Sequence, residues 1–485
     1  MPHNPDHFYW VKSTSYYKAI KRKAPPLKEL DLLFIMPRQL LLYACIVLIL
    51  YLFWNDRKNN RECSTALWIP FAWMFLAGSR YLGAWLALHQ TSSIAEATAE
   101  AYTEGSAIDQ LAFGLLIIAG LIIVFRRKLD WRTVFVNNKL IWLYFLYCIL
   151  SIIWADDSFV SFKRIIKELG SMVMLLVILS EEKPFEALGV ILKRMGFIIL
   201  PLSIVFIRYY PEWGRAYDLE GNSMYTGVSQ QKNGLGKSCL IIGIYFAWYY
   251  FLEKKENFKW LSKDNIINYG LIIMLLWLLY MSHSATSLAC FIVALGLILS
   301  GRLNTFKRKP DIILPLLIFG ALTLFLMEYF INISDMIIRM LGRNPTLTSR
   351  TDVWATLTKY AGNPLIGTGY MSFWSGERLA ILWREIGGTI IQAHNGYLEQ
   401  YLNLGIIGLG FIIIIILNGL RNVHQQFSNN FSTTMFRLTI IVVAILYNYT
   451  EAAFYGINNI WILLLLAVMV HPSSSKPVIY DTKSP

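Results

Sequence analysis

Residues 107–128 read AIDQLAFGLLIIAGLIIVFRRK. Asp109 is the one charge in the run 107–125, which is closed at once by Arg126, Arg127 and Lys128. A helix rises about 1.5 Å per residue, and a bilayer core about 30 Å thick needs about 20 apolar residues. The stretch is therefore long enough to span, and its basic end marks the cytoplasmic side by the positive-inside rule. Comparable apolar runs fall at 39–54, 66–88, 140–154, 168–180, 187–207, 235–252, 266–281, 285–300, 311–329, 401–418, 435–449 and 456–470. Together they predict an all-α polytopic integral membrane protein with about 12 transmembrane helices, 12 or 13 by count.

Composition excludes the other classes. Of 485 residues, 56% are hydrophobic and only 15% charged, against about 25% charged in an ordinary soluble domain. Disorder is excluded by the apolar content. Five cysteines, all in or beside apolar runs and without a CxxC pair or a Cys/His cluster, exclude a disulfide scaffold and a structural zinc site. The net charge of +13 comes from short basic clusters between spans, a pattern of loops that set topology and not of nucleic-acid binding. No metal or cofactor is expected: there is no HExxH, and no aspartate pair stands in the large loop.

The three basic connections are Arg126–Lys139, Lys254–Lys263 and Arg302–Lys309, and all fall on one side. The acidic stretch 89–106 falls on the other, with 208–234 and 331–396. The expected organisation is a basic polar leader at 1–38, transmembrane helices at 39–330 with the loop 208–234, a large periplasmic loop at 331–396, helices at 397–470 and a cytoplasmic tail at 471–485. The leader carries seven Lys/Arg against three Asp/Glu, which argues for an inside N-terminus and 12 crossings. Segment 66–88, with Gly78, Ser79 and Arg80 at its middle, is then the span that breaks. No cleavable signal peptide is read in the long polar start. The loop 331–396 contains two helical parts, Ser349–Ala361 and Gly376–Arg384, around a Gly-rich turn.

Polar residues able to carry chemistry gather on the non-cytoplasmic side. Arg215, Lys232 and Asn233 lie in 208–234, the last two at the start of an apolar helix, where free N–H groups favour an anion; the structural alternative is a set of headgroup anchors. Arg350 at a helix start opposes the dipole, so it either pairs, with Asp352 as the near partner, or faces an anion. His394, with Asn395 beside it, is the His of the large loop and can act as a general base. Ser284, in the turn Ser282–Ser287, and Glu451, at membrane depth, are supporting candidates. A structural pair of Glu451 with Arg80 is the alternative for that carboxylate.

The ordered set Trp154-Ala-Asp-Asp, Lys232-Asn-Gly-Leu-Gly236, Ser282-His-Ser-Ala-Thr-Ser287, Arg350-Thr-Asp-Val-Trp354, Pro364-Leu-Ile-Gly-Thr-Gly369 and His394-Asn-Gly-Tyr-Leu398 resembles the bacterial O-antigen ligase and polysaccharide polymerase superfamily over residues 107–470. The resemblance implies a GT-C-like glycosyltransferase of the bacterial inner membrane. Such an enzyme moves a glycan from an undecaprenyl-pyrophosphate carrier to an acceptor, either a glycan or a lipid A core, without a metal and with other polysaccharide-export proteins as possible partners. It implies His394 as the base and Arg350 and Arg215 as pyrophosphate ligands. Where many members carry Ser-x-Ser-Arg, this chain has Ser282-His-Ser284-Ala285. The competing reading is a polysaccharide or lipid-linked sugar transporter, which would show internal repeats and a midplane site.

Overall fold

The computed structural model describes residues 37–59, 64–86, 106–127, 129–217, 221–254, 260–331, 347–386 and 390–470. Most of the basic leader, the acidic stretch at 89–105 and the tail from 471 lie outside the described residues.

The helices are α1 (Arg38–Asn59), α2 (Trp68–Gly78), α3 (Leu82–Leu86), α4 (Ala107–Arg126), α5 (Trp131–Val136), α6 (Lys139–Leu150), α7 (Ser158–Leu179), α8 (Pro184–Tyr209) and α9 (Pro211–Gly214). A hairpin of β1 (Arg215–Tyr217) and β2 (Ser223–Tyr225) follows. Then come α10 (Lys232–Trp248), α11 (Lys263–Met281), α12 (Ala285–Ser300), α13 (Asn304–Arg308), α14 (Ile313–Ile331), α15 (Leu347–Lys359), α16 (Gly376–Ile386), α17 (Gly396–Gln425), α18 (Phe431–Thr450) and α19 (Asn459–Val468). Among the described residues seven helices, α1, α4, α8, α10 with its π turn, α11, α17 and α18, are long and apolar enough to cross a membrane, and shorter apolar helices stand among them. The chain is thus an all-α polytopic membrane protein, with one small hairpin among the described residues. Sequence reading did not predict that hairpin, because three-residue strands are too short to show an alternation.

In lipid the helices associate through close packing rather than through the hydrophobic effect, so small residues mark their contacts. A Cβ on Gly419 would stand 2.3 Å from Val468, and one on Gly170 would stand 2.4 Å from Trp73. The centre is α19, every residue of which is buried, with α18, α17, α7 and α2 packed against it.

Two faces are defined by contacts between helix ends. On one face Arg127 bonds Ser64 (2.6 Å) and Glu181 (2.7 Å), and Asn138 bonds the backbone of Val470. Ser432 bonds Glu253 there as well (2.5 Å). The described basic residues of the three connections follow these helix ends. On the other face Arg38 pairs with Glu212 (3.1 Å), and Gly83 N–H donates to Asp109 (2.8 Å). The start of α1 therefore lies on the face opposite the basic connections, and the chain from Ser64 to Arg80 passes from one face to the other. The leader that argues for an inside N-terminus lies outside the described residues up to 36, and the break expected in 66–88 is present at Ser79–Arg80.

Candidate active site

Four side chains from four elements converge on the second face. Glu451 follows the last residue of α18, and its side chain is 7% exposed. Its Oε1 accepts from Asn233 Nδ2 (2.7 Å) and faces Arg350 Nη2 (3.6 Å). Its Oε2 meets His394 Nδ1 (3.2 Å). Arg350 Nη1 also donates to the carbonyl of Thr450 (2.7 Å). His394 and Arg350 keep 33% and 32% of their side-chain surface open, so both can be reached by a substrate while the carboxylate that joins them cannot.

Each position has a local cause. His394 adopts φ +49°, a left-handed conformation uncommon for a non-glycine residue and a frequent mark of functional sites. It is held there from both sides. Ala393 N–H donates to buried Glu399 (2.9 Å), and Ala393 C=O accepts from Trp354 Nε1 (2.8 Å). Asn395 on the other side is the N-cap of α17, its Oδ1 accepting from Tyr397 and Leu398 N–H (3.0 Å each). Glu399 is fixed in turn by Trp374 Nε1 (2.6 Å) and Asn403 Nδ2 (3.2 Å). Arg350 and Trp354 stand four residues apart on α15, hence on one helix face, which is why Arg-x-x-x-Trp both reaches Glu451 and braces the His394 loop. Gly396 N–H donates to Glu451 C=O (3.1 Å). A Cβ at Gly396 would stand 2.0 Å from Asn448 Oδ1, so α17 can approach the end of α18 only through glycine.

The large loop carries its own small core. Leu357, Phe373, Trp374, Leu379, Leu382 and Ala393 pack with Leu402 of α17. The turn Pro364–Gly369 crosses α17 at a kink at Gly405 (φ +65°, ψ −166°). There Ile406 and Ile407 N–H donate to Pro364 and Leu365 C=O (2.9 and 3.2 Å), and Thr368 N–H donates to Leu402 C=O (3.3 Å). The Pro-Leu-x-Gly-x-Gly sequence thus meets backbone groups around the kink, a need that is strict inside a membrane.

The structure sorts the sequence-derived candidates. It brings together His394, Arg350, Asn233 and Glu451. Lys232 is the first residue of α10, next to Asn233. Arg215 stands on β1, its Nε donating to Ile207 C=O (2.8 Å) and its guanidinium 5.5 Å from the Tyr225 ring. That ring lies 6.2 Å from His283, in the turn whose Thr286 bonds Thr450 (2.6 Å). Arg215 is therefore linked to the site through the hairpin and not by direct contact with Glu451. Ser284 is the N-cap of α12, and the side-chain oxygen of Asn395 is occupied as a cap.

Two pairings are corrected. Arg350 pairs with Glu451 and not with exposed Asp352, because α15 turns Asp352 outward. Glu451 does not pair with Arg80, which bonds the carbonyls of Trp213 and Gly227 instead. Sequence reading also passed over Glu399, and over Glu168, which accepts from Tyr370 Oη (2.6 Å) and Trp461 Nε1 (2.5 Å). Both are carboxylates inside helices, the signal that singled out Glu451.

Comparison with known proteins bears on this arrangement. Residues 270–413, which include α15, His394 and the start of α17, match the family model described as O-Antigen ligase. This segment is similar to the O-antigen ligase family. The resemblance read from the motifs is borne out. The chain is 27% identical over 303 residues to the "Exopolysaccharide production protein ExoQ" of Rhizobium meliloti (strain 1021), covering 59% of this chain and 66% of that one. It is 26% identical over 218 residues to a "Putative polysaccharide ligase" of Rickettsia prowazekii, covering 43% of this chain and 53% of that one. A protein of the same name from Rickettsia bellii is 24% identical over 354 residues, covering 67% and 78%. The matches to the first two relatives span less than two thirds of their length. Asn233 and Glu451 lie outside the O-antigen ligase segment, so the site is completed by α10 and α18.

Proposed function

We propose that the chain is a glycosyltransferase of the bacterial inner membrane, a polysaccharide ligase or polymerase. It transfers a glycan from an undecaprenyl-pyrophosphate carrier to an acceptor sugar hydroxyl at the periplasmic face. The observation that carries the reading is the buried carboxylate of Glu451 joining His394 to Arg350. The names of the relatives, exopolysaccharide production and polysaccharide ligase, give the substrate class.

With Nδ1–H donated to Glu451, the lone pair of His394 is on Nε2, and the tautomer is set by that partner. Nε2 takes the proton of the acceptor hydroxyl as its oxygen attacks the anomeric carbon. The bond from that carbon to the diphosphate oxygen breaks, and undecaprenyl pyrophosphate leaves with the electron pair. Arg350, Lys232 and Arg215 meet the growing negative charge, and Arg presents two parallel donors to a phosphate. Cations outnumber the one carboxylate at the site: Lys237, whose Nζ is 3.4 Å from Asn458 Oδ1, stands on the same helix as Lys232. A diphosphate balances this excess. No metal is invoked, because the side chains supply both the base and the cations.

The test is transfer in vitro by the purified full-length protein, from a defined lipid-pyrophosphate glycan, with EDTA present. The acceptor found in the product separates ligase from polymerase. His394→Ala is expected to insert and fold normally but to lose transfer by about 10²-fold or more. Wild-type transfer by that variant would remove the base.

A further inference from the structure

We infer that Arg80 is a positioning residue for the donor site: it clamps the base of the β1–β2 hairpin and so sets where Arg215, Lys232 and Asn233 stand. The inference rests on the reading of those three residues as the place of the diphosphate.

Arg80 lies between α2 and α3 and is 1% exposed. Its Nη2 donates to the carbonyls of Trp213 and of Gly227 (3.1 Å for Gly227). These carbonyls flank the hairpin, two residues before Arg215 and two after Tyr225. Between them Gly214 C=O accepts the amides of Thr226 (2.9 Å) and Gly227 (3.0 Å), so one guanidinium grips both strands where they close. Among the described residues no carboxylate lies within salt-bridge distance of Arg80, and its Nε and Nη1 are buried without a hydrogen-bond partner.

Burying a charge in this way is costly, and the two charge-assisted hydrogen bonds it gives the base of the hairpin offset part of that cost. The rest of the helix break is also built around the hairpin. Ser229 and Ser238 hydroxyls both donate to Gly78 C=O (2.9 Å each), and Val228 N–H donates to Ser203 Oγ (3.2 Å). Gly227 (φ +56°) passes so close to Ser203 that a Cβ would stand 2.6 Å from it. From this seat the chain runs five residues to Lys232 and six to Asn233, which bonds Glu451. On the other strand Arg215 has Ile207 C=O and Tyr225 as its guides. A shift of the clamp therefore moves the cations on both sides of the hairpin, and reaches His394 only through the Asn233–Glu451 contact, since the His394 loop has its own supports in Trp354, Glu399 and the Asn395 cap.

The experiment uses the full-length protein with a defined lipid-pyrophosphate donor and saturating acceptor. It compares Arg80→Gln, Arg80→Lys and Arg215→Ala, and reads donor KM, kcat and hydrogen–deuterium exchange across 213–228. For Arg80→Gln the donor KM is expected to rise about tenfold or more, as for loss of hydrogen bonds from a charged group, with a smaller fall in kcat because Lys232 and Arg215 also face the leaving group. Exchange at Thr226 and Gly227 is expected to rise with it. Arg80→Lys, whose one ammonium can also donate to two carbonyls but from a side chain of different length and shape, should recover part of the KM. Arg215→Ala should raise KM without the change in exchange.

A wild-type donor KM in Arg80→Gln, or a loss confined to kcat, overturns the inference. If Arg80→Gln does not fold, Arg80→Lys is compared directly with wild type: a raised KM supports the clamp and an unchanged KM overturns it. If Arg215→Ala leaves KM unchanged, the assignment of Arg215 is what fails. A raised KM in Arg80→Gln then still supports the clamp through Lys232 and Asn233.

Discussion

Glu451→Gln is the substitution that tests the core of the site. The carboxylate is an acceptor at both oxygens, and three donors converge on it: Asn233 Nδ2 at 2.7 Å, Arg350 Nη2 at 3.6 Å and His394 Nδ1 at 3.2 Å. Glutamine keeps the shape but offers one acceptor and one NH2 group. If its oxygen faces His394, its NH2 opposes the Asn233 and Arg350 donors. If its NH2 faces His394, it stabilises the tautomer with the proton on Nε2, which cannot act as a base. Either orientation loses at least one charge-assisted hydrogen bond, worth about 1.5–3 kcal/mol. If that bond matters in the transition state, transfer slows about 10- to 150-fold. The assay is the initial rate of glycan transfer from the lipid-pyrophosphate donor, with membrane level and thermal midpoint of the purified variant measured beside it. The backbone bond from Gly396 N–H to Glu451 C=O is untouched, so the variant should fold. A folded Glu451→Gln protein with a rate within twofold of wild type would falsify the coupling of base and cation through this carboxylate.

Two further predictions concern the same face. Arg350→Lys keeps the charge, but one ammonium cannot hold Thr450 C=O, Glu451 and a bidentate phosphate together; kcat/KM for the donor should fall about 10- to 100-fold, and an unchanged value would make Arg350 structural. Gly405→Ala places a Cβ 2.2 Å from Leu365 C=O at a backbone conformation reserved for glycine, so it should destabilise by at least about 2 kcal/mol and lower the thermal midpoint in detergent. Gly410→Ala, five residues on in the same helix with nothing within 4 Å of a Cβ, is the control and should leave the midpoint unchanged.

Much of the helical frame was legible because its cause is local. A run such as 107–125 spans because of its own apolar content, and Lys232 begins a helix where the sequence placed a helix start. The His394-Asn395-Gly396 motif could be read as an approach to a helix, since Asn capping acts over three residues. The break near Arg80 was visible as a charge in an apolar run, but the carbonyls that receive it were not: Trp213 and Gly227 lie more than 130 residues away. The hairpin escaped notice for want of length. Spacing offered Arg350 its neighbour Asp352 or an anion, and not Glu451, because spacing reports only what one helix can bring together.

The sequence by itself determined that this chain is a polytopic helical membrane protein and pointed to His394, Arg350 and Asn233 as residues of one face, with Glu451 as a carboxylate at membrane depth. Only the tertiary structure decided that the four meet, and that Glu451 is the partner of both the His and the Arg. It also decided the face on which α1 begins. The reason is physical: periodicity and capping act within one element, whereas a buried carboxylate takes its partners from whichever elements packing brings within about 3 Å.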